Sequence, residues 1–165
     1  MNKVQEKFLR ITTYKNTNLE QTERIVVNQI SNNRFKIIRM PSKLFGLGYG
    51  DTIARENDTI TLVERQGFVG CRIYGRQFVH NKTLEKIMAL VKSSGGVYEV
   101  FVNRERLFLF LVGFPIEMGW KNIQQFCDSS FENCKWEYSN IFDENNQLLE
   151  WWKGENPALS ILLAE

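Results

Sequence analysis

An α+β fold is predicted for this 165-residue chain by three observations. Residues 1–65 alternate polar and apolar side chains in short β-rich runs broken by turns. Residues 68–142 then read strand, helix, strand, strand, helix, strand. That second order is the split βαβ, or ferredoxin-like, unit. The expected architecture is an N-terminal β-rich, barrel-like part over residues 1–66, packed on a ferredoxin-like βαββαβ unit over 67–142. Residues 143–165 are expected to form a C-terminal tail docked on that body.

The first part yields about five strands. Residues 8–14 alternate loosely, and residues 24–30 hold the β-branched run Ile25, Val26, Val27. Asn32-Asn33 marks a turn, because Asn tolerates left-handed backbone. Residues 34–40 return as the second arm of a hairpin, which Pro41 ends because it cannot donate to a ladder. Residues 52–55 and 59–64 form two more alternating strands about an Asn57-Asp58 turn.

The second part opens with a strand at 68–74, where Gly70 marks a bulge or a close approach. Leu84, Ile87, Met88 and Val91 recur at helical spacing, with Thr83 as the expected N-cap and Gly95-Gly96 as the stop. Residues 97–102 and 107–112 are strands joined by residues 103–106. The latter is apolar on both faces, which predicts a central place in its sheet. Trp120, Ile123, Cys127 and Phe131 form the apolar stripe of a second helix, and residues 135–142 close the unit.

Composition points to a soluble globular protein, with 43% hydrophobic and 24% charged residues. The first ten residues, MNKVQEKFLR, lack the apolar stretch of a signal peptide. The longest apolar run, residues 107–112, is far short of the roughly 20 residues that a membrane helix requires. Cys71, Cys127 and Cys134 are odd in number and spaced like no metal motif. The cytoplasm, with no metal and no cofactor, is the expectation.

Little catalytic chemistry is legible. His80 is the single histidine and has no nucleophile or acid beside it in the sequence, so it reads as a surface residue. Gly46, Gly48 and Gly50 invite comparison with a phosphate loop, but a strand follows them where such a loop needs a helix N-terminus. Asp51, Glu64 and Glu99 are the carboxylates on or beside strands. Asp51 reads as a turn-former bonded to its own backbone. Glu99 needs a partner if its strand face is covered. Cys127 lies on an apolar stripe and reads as a small core residue.

Charge is more informative. Residues 128–165 carry eight acidic and two basic side chains, whereas residues 1–127 carry nineteen basic and eleven acidic ones. In the acidic part, Glu137, Asp143, Glu144, Glu150 and Glu155 surround Trp151 and Trp152. Aromatic anchors in an acidic rim suit a basic protein partner, since tryptophan carries binding energy and charge steers encounter. The basic part suggests nucleic acid instead. Tyr98, Phe101, Phe108 and Phe110 lie on two adjacent strands, with Arg72, Arg76, Arg104 and Arg106 nearby. The basic-Gly-aromatic-Gly signature of an RNA-binding sheet is absent, however, and the N-terminal strands are expected to cover the open face.

Residues 33–142 resemble an uncharacterised bacterial family, domain of unknown function 4265. The resemblance is carried by Met40-Pro41, by Gly48-Tyr49-Gly50-Asp51-Thr52-Ile53, by Leu62-Val63-Glu64-Arg65-Gln66-Gly67 and by Cys71-Arg72-Ile73. The helix–strand–strand–helix pattern downstream continues it. The resemblance implies a bacterial cytoplasmic protein and names no catalytic residue. The expected function is a non-enzymatic protein-binding module: an immunity protein that covers the active site of a basic toxin such as a nuclease. The alternative is a nucleic-acid-binding or regulatory domain that uses the basic N-terminal two-thirds. No membrane partner is expected.

Overall fold

The computed structural model describes residues 6–13, 20–57 and 59–140. They form two antiparallel sheets and two helices, an α+β architecture. The first sheet is a meander of β1 (Glu6–Thr13), β2 (Gln21–Gln29), β3 (Arg34–Ile37), β4 (Thr52–Glu56) and β5 (Thr59–Glu64), in that order. β1 and β5 stay at its two margins, so the sheet is an open half-barrel. Its apolar face is built by cross-strand pairs: Leu9 with Ile25, Val27 with Ile37, and Phe35 with Ile53. Leu44 and Leu47, from the segment between β3 and β4, complete this aliphatic core. Asn57 adopts a φ of 54° at the β4–β5 turn, which accounts for an Asn there.

The second sheet comprises β6 (Phe68–Gly75), β7 (Val97–Arg104), β8 (Leu107–Pro115) and β9 (Lys135–Asn140), in the order β7-β8-β6-β9. Helix α1 (Asn81–Ser93) links β6 to β7, and α2 (Trp120–Ser130) links β8 to β9. β8 is central, as its two-sided hydrophobicity predicts: Leu111, on one face, and Phe108, Phe110, Val112 and Phe114, on the other, are all fully buried. The helix-covered face is aromatic. Phe131 packs on Phe108 at 4.9 Å between ring centroids, and Phe126 on Phe114 at 4.8 Å. Cys127 is a buried member of this core, as expected.

α1 begins earlier than its sequence suggests. The cap is His80, not Thr83: its Nδ1 accepts the Lys82 amide at 3.3 Å, and its carbonyl accepts the amides of Thr83 and Leu84. Ser94 ends the helix, followed by Gly95 at a φ of 73°. His80 is exposed and has this capping role.

The other face of the second sheet meets the segment 38–51, hereafter the connector. It is this connector that covers the face, in place of the N-terminal strands themselves. Gly70 and Gly113 sit opposite each other on β6 and β8 and leave a notch. Met40 fills it: a Cβ at Gly113 would lie 3.2 Å from the Met40 sulfur, and one at Gly70 3.3 Å from its methyl group. Gly70 is both a close-approach point and the site of a register shift against β9.

Candidate functional site

The connector treats the two sides of the second sheet's outer face differently. Over β6 and β9 it forms a closed polar seam. Arg72 on β6 and Glu137 on β9 are register partners, with 3.4 Å between Nη1 and Oε1. Their side chains are only 3% and 2% exposed. The guanidinium also donates to the Leu44 carbonyl and lies over the Phe45 ring at 4.3 Å. Glu23 on β2 secures the same stretch of connector. Its carboxylate accepts the Ser42 amide and hydroxyl at 2.8 and 2.7 Å, and the Lys43 amide at 2.8 Å. Burial pushes the Glu137 carboxyl upward, while Arg72 pulls it the other way.

Asp51 and Asn140 complete this seam. Asp51 is 1% exposed and accepts the amides of Gly48 at 2.8 Å and Gln66 at 3.2 Å. The turn role expected of it is therefore real, and it extends to a second segment. Burial pushes its pKa up to about 6, against the pull of these two amides and of Arg65. Asn140 accepts from the Gly70 amide and donates to the Phe68 carbonyl at 3.0 Å. The Gly46 amide donates to the Ser139 carbonyl at 2.8 Å. Gly46 and Gly50 hold φ angles of 81° and 83°, so this glycine-rich stretch is a structural bend that runs into β4.

On the β7 side the connector touches the sheet at Glu99 but leaves a gap beside it. A cleft of about 410 Å³ lies there, bounded by Ile38, Met40 and Tyr49 of the connector and by Lys92, Val97 and Glu99. Tyr98 also lines it, stacked on Phe110 at 5.8 Å with the Lys92 ammonium 5.6 Å from its ring centre. Glu99 faces the connector, where the Met40 amide and Arg39 hold its carboxyl down against a larger upward push from burial. Glu99 thus has the partner that a covered position requires. β7 is a marginal strand, and a register shift between Val100 and Val102 leaves Phe101 at a bulge. Val100 is 37% exposed and Phe101 53%.

The residues expected to bind a partner fall into two groups. Glu137 is corrected: as the buried counter-ion of Arg72 it belongs to the seam, not to an accessible rim. It lies on β9 opposite Arg72, a pairing that nothing in the sequence signals. Asp143, Glu144, Glu150, Trp151, Trp152 and Glu155 lie outside the described residues. The aromatic platform is corrected as well. Phe108 and Phe110 point into the helix-covered core and Tyr98 is half-buried, which leaves Phe101 as the exposed ring of the four. Arg72 is buried and engaged, whereas Arg76, Arg104 and Arg106 are exposed. Sequence reasoning missed the β7 margin and its cleft. The run Val97-Tyr98-Glu99-Val100-Phe101-Val102 carried a signal, being too apolar for an ordinary strand margin.

Among the described residues, no group of three or more His, Cys, Asp or Glu side chains is placed to hold a metal ion, and no helix is long and apolar enough to cross a membrane. No protein-family model matches the chain, and no curated protein matches it. The architecture is similar to a crystal structure of a hypothetical protein from Neisseria gonorrhoeae. The TM-score is 0.55 at 17% identity, over 82% of this chain and 94% of that one. This likeness concerns the fold alone.

Proposed function

We propose that this protein is a non-enzymatic, cytoplasmic protein-binding module. The observation that carries the reading is the β7 margin, an apolar strand that no other described strand pairs on its outer side, beside a cleft. Such a margin offers unpaired backbone groups and apolar side chains to another polypeptide. The most strongly perturbed carboxylates support the same reading. Asp51, Glu99 and Glu137 are all engaged by amides or arginines that hold the connector and the sheets together. We read the β6–β9 unit as ferredoxin-like, because its strand order follows the split βαβ pattern. Kinship with domain of unknown function 4265 is likewise a proposal, resting on the segments 48–53 and 62–67.

In finer terms the reading is an immunity protein that neutralises a basic toxin such as a nuclease. The support is the excess of acidic residues over 128–165. A second reading, nucleic-acid binding, draws on exposed Arg76, Arg104 and Arg106 near exposed Phe78 and Phe101. One experiment separates them: capture of partners at low salt with wild type and with an Asp143→Lys, Glu144→Lys, Glu150→Lys variant. The immunity reading expects a stoichiometric basic protein on the wild type, weakened at least tenfold by the triple substitution. Equal capture by both would defeat the toxin reading. Co-eluting nucleic acid, released steeply by salt, would favour the second.

A further inference from the structure

Among the described residues four strands are marginal, β1, β5, β7 and β9; β9 is taken up by the seam, and the other three are not alike. β1 exposes Phe8, but the Arg24 guanidinium lies over that ring at 4.4 Å. β5, with sequence TITLVE, alternates threonines with apolar residues and ends on Glu64. β7, with sequence VYEVFVNR, is apolar at five of its first six positions and lies along the 410 Å³ cleft. In an antiparallel pair, alternate residues of a marginal strand turn their N–H and C=O groups away from the sheet. At β7 these groups border a cleft of mixed polar and apolar lining, with Ile38, Met40 and Tyr49 on one side and Val97, Tyr98, Lys92 and Glu99 on the other.

Resting on the protein-binding reading above, we propose that the N-terminal half of β7 receives an extended segment of a partner protein as a fifth strand of the second sheet. The segment would place one large apolar side chain in the cleft and an acidic residue beside it. Ile38, Met40 and Val97, the apolar part of the lining, call for the first. Charge complementarity calls for the second: Lys92 brings a cation to the cleft, while the negative charge of Glu99 already faces Arg39 and the Met40 amide. The bulge at Phe101 limits the added strand to residues 97–100, since two residues there oppose one on the neighbouring strand. Specificity then comes from the cleft, and affinity from the backbone ladder.

The test uses short random peptides displayed on phage, selected against the full chain. The expected winners share one large apolar position with Asp or Glu adjacent. Their affinity should fall at least tenfold on Lys92→Glu with Phe101→Asp, two exposed positions, while circular dichroism of the variant should match wild type. Peptide should also slow amide exchange at alternate residues of 97–100. Failure to select any peptide, or winners that bind the double variant equally, would overturn the proposal. So would a free protein that is dimeric and is dissociated by the same substitutions, because a second copy would then occupy the strand. The broader reading is judged apart. A stoichiometric protein captured equally by wild type and double variant leaves protein binding standing and removes β7 from it.

Discussion

The two sides of the second sheet's outer face meet one connector and are finished in opposite ways. Over β6 and β9 the contact is charged and close, with Arg72, Glu137 and Asp51 almost wholly buried. Over β7 the same connector leaves a cleft, and the strand keeps Val100 and Phe101 in solvent. Buried ions cost desolvation energy and are tolerable only with their partners in place. The closed side therefore fixes how the two sheets sit on each other, since each charge has its partner on a different segment. The open side adds only Glu99 with Arg39 and the Met40 amide, and it is the side proposed to bind. On the proposed reading, stability and recognition are divided between different strands of one sheet.

The comparison breaks most readily at Arg72. Arg72→Ala leaves Glu137 buried without its cation and the Leu44 carbonyl without its donor. A loss of about 3–5 kcal/mol is expected in urea unfolding. The double variant Arg72→Met, Glu137→Leu should recover much of it, because no charge then remains to be paired. A loss below about 1 kcal/mol in the single variant would mean that the seam does not hold the sheets.

A smaller effect sharpens the same point through pH. The Asp51 carboxyl titrates at about 6 in the folded protein, above its ordinary value of 3.8, because burial disfavours the charged form. The folded state therefore holds this proton more tightly than the unfolded chain. The Asp51 contribution to stability is greatest below about pH 4 and declines as pH rises to about 6, by roughly 3 kcal/mol in all. Glu99 and Glu137, also raised by burial, act in the same direction. Asp51→Asn removes this titration, so the stability difference between wild type and variant should change across pH 4–6 and level off above it. Parallel curves would show that the carboxyl is not buried as described.

Much of this fold was legible because it rests on local periodicity. Among the described residues, the nine strands and both helices follow from alternation, apolar runs or helical spacing. The central place of β8 followed from hydrophobicity on both its faces. The cap of α1 was not legible, because a histidine side chain replaced the threonine that propensity favours. The seam was hidden for a deeper reason. Arg72 and Glu137 are 65 residues apart, and in isolation each reads as an ordinary surface charge. Only the β6–β9 register brings them together. For the same reason Glu137 was grouped with its acidic sequence neighbours, and the open margin at β7 depends on a strand order that periodicity does not specify.

The division between a closed and an open side is tested most directly by residue-resolved amide hydrogen exchange on the full, unliganded chain. Alternate amides of β7 between Val97 and Val100 should exchange far faster than those of β6 and β8, which have a strand on either side. Protection of all the β7 amides to the level of β6 and β8 would contradict the account, because the proposed binding strand would then already be occupied.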